Sequence, residues 1–137
     1  MDGQGVPLGG RLASASPAEV TLLESTLETI AVPRAGRGRP RKNPKRIIAD
    51  RAYDSDPLRR RLKRRGIELI CPYRKNNKQR LYADGRKLRR YKRRWKVERT
   101  LAWLQNFRRL IVRHERLITM YTAFFHVACL IITLRKL

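Results

Sequence analysis

One stretch of the sequence places a single carboxylate among side chains that bind phosphate. Tyr91, Arg94 and Glu98 are spaced so that, at about 100° per residue, they fall within roughly 60° of arc on one helix face. Lys and Arg dominate the residues around them. Because hard divalent cations prefer oxygen ligands, Glu98 is a candidate metal ligand beside candidate contacts to a nucleic-acid backbone. The alternative is a solvated helix on which Glu98 pairs with a nearby Lys or Arg.

The elements that would position these side chains begin with a strand, a helix and a second strand in mid-chain. Residues 46–50 are a short apolar run that ends in a carboxylate, Pro57 opens a helix that stops at Gly66, and residues 67–72 are apolar again. This order predicts a parallel crossover and therefore an α/β fold.

Asp50 ends the first of these predicted strands. Side chains that do chemistry in open α/β sheets lie at the carboxyl ends of the strands. Asp54 and Asp56 follow closely, but both are explained as residues at the start of the helix, with Asp56 as its N-cap. Asp50 is therefore the second candidate for a catalytic carboxylate.

The composition is strongly basic and points to a polyanionic partner. In 137 residues, 34 Lys and Arg stand against 11 Asp and Glu, for a net charge of +23, and the excess lies almost wholly after residue 33. Charge of this density predicts nucleic-acid binding, with a basic tail or a ribosomal type of protein as the alternative. Cys71 and Cys129 have no metal-ligand spacing, which indicates reduced core thiols and a cytoplasmic protein.

Residues 33–45 predict a flexible basic loop, because their prolines and glycines interrupt both helix and central strand. Its segment Arg37-Gly38-Arg39-Pro40 resembles the AT-hook, in which Arg-Gly-Arg lies in the narrow minor groove of A·T-rich DNA. Arg37, Arg39 and Arg41 are therefore candidate DNA contacts. A solvated loop that touches only phosphates is the alternative.

The remaining segments predict one strand and three helices. Residues 5–16 suggest a strand entered from a tight turn, and Ser16 and Glu19 suggest the capping box of a helix that ends near Ile30. A long helix from Tyr91 has one broad apolar face, which the following residues define: Val97, Leu101, Leu104, Phe107 and Ile111.

The apolar run at residues 117–134 is interrupted by polar side chains, so it predicts a buried helix and not a membrane span. His126 on this helix is expected to be a core residue, whereas His114 is expected on the surface among arginines. Neither histidine is a candidate ligand.

Three segments, residues 2–8, 49–55 and 91–110, together resemble the bacterial insertion-sequence transposases of the DDE class, particularly the insertion sequence 5 group of the insertion sequence 4-like superfamily. The most specific feature is the spacing of Tyr91, Arg94 and Glu98. In that family a Lys usually follows seven residues after the Glu. Here this position is Gln105, so a neutral hydrogen-bonding group replaces a charge that contacts phosphate.

The resemblance implies an RNase H-like α/β fold with long C-terminal helices and a catalytic triad of Asp2, Asp50 and Glu98. These carboxylates would hold two Mg²⁺ (or Mn²⁺) ions about 3.5–4 Å apart for cleavage and strand transfer at DNA phosphodiesters. Tyr91 and Arg94 would position the DNA backbone, with Gln105 as a weaker contact.

The resemblance also predicts the organisation and partners of the chain. Only Met1 precedes Asp2, whereas an apolar strand leads into this Asp in the family, so we expect one truncated domain, 1–137, that lacks the first strand. The expected partners are double-stranded DNA at element ends and target, further copies of the chain, and the product of an upstream reading frame, with no membrane. Two functions stay open: a transposase catalytic domain, or an inactive remnant that only binds DNA.

Overall fold

The computed structural model describes residues 1–14, 16–77 and 85–136. They form two compact units, one of Ala13–Arg94 and the other of Met1–Leu12 together with Trp95–Leu137. The strands are β1 (Arg46–Ile48) and β2 (Glu68–Ile70), and the helices are α1 (Glu19–Glu28), α2 (Asp56–Arg64), α3 (Gly85–Leu88), α4 (Trp95–Gln105), α5 (Arg108–Ile111) and α6 (Ile118–Leu134). Short 3₁₀ helices occupy Arg51–Tyr53 and Arg89–Arg94. The predicted mixture of helix and strand is confirmed.

The first unit, Ala13–Arg94, is built around a parallel crossover. Strands β1 and β2 pair in parallel, with Arg46 opposite Glu68, and α2 connects them. This confirms the predicted crossover. The predicted N-cap is wrong by one residue, because Ser55 caps α2 through a bond from the Leu58 amide at 3.5 Å and Asp56 lies inside the first turn.

The core of this unit lies between α1, α2 and β2. Its buried side chains are Leu27, Leu58, Leu62, Ile67, Leu69 and Cys71. Val20 and Leu23 of α1, and Ile30 just after it, pack against this cluster. Burial of large aliphatic side chains is the main stabilising term for such a unit.

The predicted start of α1 is wrong. The helix begins at Glu19, and its N-cap is Ala18, which makes no capping bond through its side chain. A capping box would need Glu19 to reach back to Ser16. Burial, followed by the negative charge of Glu19, raises the pKa of the Tyr53 hydroxyl to about 12.

The basic loop contains neither helix nor strand in its described residues, as predicted, but its base is closed. Val32 and Arg41 exchange backbone hydrogen bonds of 3.0 and 2.8 Å in an isolated antiparallel bridge. At its far end Gly38 has φ +140°, a conformation that L side chains rarely adopt.

The second unit contains α4, α5 and α6, and here the prediction of one long helix is wrong. Residues 89–94 wind as a 3₁₀ helix, α4 begins only at Trp95, and the chain leaves the helix after Gln105. Short-range bonds from the amides of Asn106 and Phe107 to the residues three positions earlier tighten that end. Leu101 and Ile111 are therefore not core residues, with 53% and 62% exposure.

Helix α6 is only partly buried. Ala128 and Ile132 are its buried residues, and one exposed side carries Met120, Val127, Leu130 and Leu134. His126 is exposed beside Phe125, so its prediction as a core residue is wrong, whereas His114 is exposed as predicted. No helix of the described residues is long and apolar enough to cross a membrane.

Residues 1–14 contain no strand, so the strand predicted near the start of the chain is wrong. The carbonyl groups of Gly3, Gln4 and Gly5 accept hydrogen bonds from side chains of α4, and not from a neighbouring strand. Gly10 lies directly against the Phe125 ring, since a Cβ at this position would be only 2.7 Å from a ring carbon.

Candidate catalytic carboxylates and DNA interface

Asp50 lies at the carboxyl end of β1, where the sequence pattern places it. It caps the 3₁₀ helix Arg51–Tyr53, and its Oδ1 accepts a bond of 2.6 Å from the Ala52 amide. Its other oxygen, Oδ2, accepts no hydrogen bond within the described residues. The half-buried carboxylate is thus held at one oxygen and available at the other.

Asp2 is held in a similar way in the other unit. Its Oδ1 accepts bonds of 2.7 Å from the Gln4 amide and 3.0 Å from the Val6 amide. The Asp2 amide in turn donates to the Val6 carbonyl at 2.9 Å, which closes a compact turn. Gly5 has φ +93° at this turn, a conformation that favours glycine.

The turn of residues 2–6 docks on helix α4. The Lys96 ammonium donates to the Gly3 carbonyl, Arg99 Nη2 to the Gln4 carbonyl at 3.0 Å, and the buried Thr100 hydroxyl to the Gly5 carbonyl at 2.9 Å. A Cβ on Gly5 would lie 3.0 Å from Thr100 Oγ1, so the approach requires glycine. The contacts join segments that are more than 90 residues apart in the sequence.

Arg99 is held in this contact by two aromatic rings. Its guanidinium carbon lies 4.7 Å from the centre of the Trp95 ring and 4.8 Å from that of Trp103, one helical turn on either side. Cation–π contacts of this kind restrict the side chain and add to the attraction. Arg99 therefore presents a fixed donor to the Gln4 carbonyl.

Glu98 is exposed in the first turn of α4, the same helix that receives the turn of Asp2. The partial positive charge of a helix N-terminus favours a carboxylate at this position. Gln105 is exposed at the other end of the helix. The structure thus places the turn of Asp2 on α4, the helix that carries Glu98.

Tyr91 and Arg94 lie in the 3₁₀ helix before α4, and not on the α-helix that carries Glu98. Both side chains are half-buried, and Arg94 Nη1 donates to the Tyr91 hydroxyl at 3.4 Å. The predicted common face of a single α-helix is therefore wrong, because 3₁₀ winding turns by about 120° per residue. Tyr91 and Arg94 nevertheless lie side by side within the 3₁₀ helix.

The predicted metal ligands fit a hard divalent ion by chemistry, since all three are carboxylates. Asp2 and Glu98 belong to one compact unit and Asp50 to the other. Within the described residues, no three His, Cys, Asp or Glu side chains lie close enough together to hold a metal ion. What the structure does show is the local anchoring of Asp2 and Asp50 by backbone amides.

The predicted DNA contacts of the basic loop are all exposed. Arg37, Arg39 and Arg41 have no ion pair, hydrogen bond or ring contact through their side chains in the part of the chain that the structure describes. A base without a carboxylate partner can bind a phosphate without first breaking an ion pair.

The sequence pattern missed a buried ion pair next to Asp50. Asp54 reads as a helix-start residue, yet its side chain is 1% exposed and accepts a bond of 3.0 Å from Arg59. The sequence does contain one indication of this pair. Arg59 lies between Leu58 and Leu62 in α2, and a charged side chain buried beside apolar ones needs an ion-pair partner.

Comparisons with known proteins agree with this picture. A family model described as "Transposase DDE domain" matches residues 1–133. A Burkholderia cepacia protein, named "Putative transposase for insertion sequence element IS402", is 40% identical over 138 residues, which cover 98% of this chain and 62% of the relative. This chain therefore spans less than two thirds of the length of that relative. No solved structure matches the chain significantly.

The family match extends over both compact units and includes all three predicted acids. The class is thus that of proteins with a DDE transposase domain. This chain belongs to the DDE transposase family, which confirms the DDE class of the resemblance.

Proposed function

We propose that this chain is the catalytic portion of an insertion-sequence transposase of the insertion sequence 5 group, which cleaves DNA phosphodiesters and transfers the strands. The observation that carries the proposal is the docking of the Asp2 turn on α4, the helix of Glu98. We extend the proposal to the fold, which we infer to be RNase H-like over residues 1–137. The span of the family match supports this extension.

Asp2, Asp50 and Glu98 are the proposed ligands of Mg²⁺ or Mn²⁺, with two ions expected. Such ions, when bound, activate an attacking water or 3′-hydroxyl and stabilise the leaving oxygen. The chain contributes carboxylates whose orientation is already fixed, since amides hold one oxygen of Asp2 and one of Asp50. Preorganised ligands of this kind lose little entropy when they bind.

Double-stranded DNA, at element ends and target, is the proposed substrate. Tyr91 and Arg94 would contact its backbone beside the carboxylates, with Gln105 as a neutral contact, and Arg37, Arg39 and Arg41 would contact it from the loop. Arginine suits these positions because its planar guanidinium binds phosphate through two parallel hydrogen bonds. The homo-oligomer and the product of an upstream reading frame stay predictions of the family resemblance, and the cytoplasmic location stays a prediction from Cys71 and Cys129.

DNA binding without cleavage is the second candidate function. It is favoured by the three exposed loop arginines and by the net charge of +23, neither of which requires a metal. A chain with this function would occupy transposon ends and compete with an intact transposase.

Metal-dependent nicking and strand transfer on element-end DNA test the proposal, with Glu98→Gln compared with the parent chain. We expect Glu98→Gln to lower the cleavage rate by about 100-fold or more, since metal stabilisation of the transition state is worth several kcal/mol. Its affinity for DNA should be retained. Glu28→Gln is the matched control, because Glu28 is also an exposed helical glutamate and has no ion pair among the described residues.

Three outcomes separate the two functions. Cleavage by Glu98→Gln at the parental rate would remove Glu98 from the site. A parent chain that binds DNA and never cleaves it, with Mg²⁺ or Mn²⁺ present, would favour the second function. Loss of cleavage in Glu98→Gln and not in Glu28→Gln supports the first.

A further inference from the structure

We propose that Asp54, Arg59 and Arg74 form a positioning network that orients Asp50. The proposal rests on the proposed function, because it takes Asp50 as a catalytic carboxylate. It assigns no new contact to the reacting DNA. It explains instead how the turn after β1 is held so that Asp50 Oδ1 keeps its hydrogen bond from the Ala52 amide.

Arg74 grips the turn that Asp50 caps. Its Nε donates to the Arg51 carbonyl at 3.3 Å and its Nη2 to the Ala52 carbonyl at 2.7 Å. The Ala52 amide, on the other side of the same peptide segment, donates to Asp50 Oδ1 at 2.6 Å. The guanidinium therefore fixes the residue whose amide fixes the carboxylate.

Asp54 holds Arg74 in place. Its Oδ2 accepts a bond of 2.6 Å from the Arg74 amide, and Asn77 Nδ2 approaches the same oxygen at 3.5 Å. Its Oδ1 accepts from Arg59 Nη2 at 3.0 Å. Both oxygens of this nearly buried carboxylate are thus used, and they join the turn after β1 to the segment after β2.

Arg59 anchors the network in the core. It is 7% exposed, and it donates to the carbonyls of Leu69 at 3.3 Å and Cys71 at 3.1 Å, at the end of β2. Its guanidinium carbon lies 4.6 Å from the centre of the Tyr73 ring. An arginine that bonds to several fixed carbonyl groups restricts the segment more than a lysine would, because its donors are held in one plane.

The network joins the ends of both parallel strands, which is where an α/β sheet presents its chemistry. A purely structural role would require only the buried pair of Asp54 and Arg59. Arg74 is different, because it is exposed and contributes no core packing, yet it makes the two bonds to the Asp50 turn. Removing the Arg74 side chain therefore tests the positioning of Asp50 while the buried pair of Asp54 and Arg59 stays in place.

The test compares Arg74→Ala with Lys75→Ala in the full chain. Lys75 is the next residue, is exposed and makes no hydrogen bond or ion pair among the described residues, so both variants lose one positive charge from the same loop. The first readout is hydrogen exchange of the Ala52 amide. We expect exchange at least about tenfold faster in Arg74→Ala than in Lys75→Ala, because the variant loses both hydrogen bonds that hold the turn of the Ala52 amide.

The second readout is the Mn²⁺ concentration that gives half-maximal cleavage, which a loss of overall stability or of one DNA-binding charge would not move. Arg74→Ala should raise this concentration several-fold, while Lys75→Ala leaves it at the parental value. Equal Ala52 exchange in the two variants would overturn the network. Asp50→Asn tests the proposed function separately. If this variant cleaves DNA at the parental rate, Asp50 has no catalytic role, and the comparison of Ala52 exchange between Arg74→Ala and Lys75→Ala is unaffected.

Discussion

Arg59 and Cys71 show how a cation is accommodated inside this small unit. Burial raises the pKa of the Cys71 thiol to about 11, although the charge of Arg59 acts in the opposite direction. The thiol is therefore neutral near pH 7 and accepts a contact of 2.9 Å from Arg59 Nη2 without competing with Asp54 for its charge. Cys71 is a structural residue of the core, as its sequence context predicted.

Glu68 gives a prediction about acid stability. A hydrogen bond from Lys87, followed by one from Arg46, holds the pKa of the Glu68 carboxyl below its usual value of 4.5. A carboxyl with a lowered folded pKa adds stability above its unfolded pKa, and this contribution is lost as the pH falls through the folded value. Glu68→Gln should therefore be less stable than the parent at pH 6, with a difference that shrinks below about pH 4.5.

The difference at pH 6 should be at most about 1 kcal/mol, because these ion pairs are partly exposed to solvent. Thermal unfolding of both chains between pH 3 and pH 7 measures it. Glu28→Gln is the control and should show no such pH-dependent difference. A gap between Glu68→Gln and the parent that grows towards pH 3 would contradict the assignment.

At the scale of elements, the basic loop combines a closed base with an open, charged end. The bridge between Val32 and Arg41 holds the two sides together, while Gly38 at φ +140° stands between Arg37 and Arg39. A glycine between two arginines suits entry into the narrow minor groove, which is about 6 Å wide in B-form DNA. A·T-rich tracts narrow it further and attract arginine.

Arg39→Ala should lower the preference of the chain for A·T-rich over G·C-rich duplex by about tenfold, which corresponds to the loss of one charge-assisted hydrogen bond of about 1.5 kcal/mol. Fluorescence anisotropy with matched duplexes measures this preference. Arg60→Ala is the control, since Arg60 is exposed on α2 and its loss removes the same charge. An equal loss of affinity for both duplexes in Arg39→Ala would show that the loop touches only phosphates.

Elements whose cause is local in sequence could be predicted, and those that depend on distant partners could not. The crossover between residues 46 and 72 follows from runs of apolar residues and a glycine stop, so its parallel pairing was predictable. The start of α1 was not predictable, because its N-cap is Ala18, a residue that makes no capping bond through its side chain. The end of α4 was not either, since no proline or glycine marks Asn106.

The candidate site divides in the same way. The place of Asp50 at a strand end follows from the order of elements. The docking of the Asp2 turn on α4 depends on Thr100 and Arg99, whose partners are carbonyl groups that no residue pattern identifies. The contacts of Arg59 could not be predicted for the same reason. Two of its acceptors are backbone oxygens of the strand segment that follows α2.

At the scale of the whole molecule, the charge is unevenly compensated. Several carboxylates are already paired with bases, as in the pairs Arg61 with Glu24 at 2.8 Å and Arg109 with Glu115 at 2.9 Å. With a net charge of +23, most of the remaining bases have no acid to neutralise them. Such a surface attracts a polyanion over a long range and releases counterions when it binds.

The affinity of the chain for duplex DNA should therefore fall steeply with salt, by about 10³–10⁵-fold between 50 and 200 mM if roughly 6–10 phosphates are contacted. Anisotropy titrations at several KCl concentrations give the slope of log K against log salt. Replacing Arg37, Arg39 and Arg41 together by Ala should make this slope shallower by up to about 2.7, at about 0.9 per lost phosphate contact. Arg61→Ala, which removes a base already paired with Glu24, should leave the slope nearly unchanged. A shallow slope in the parent chain would contradict phosphate binding, since counterion release is unavoidable when bases replace condensed cations.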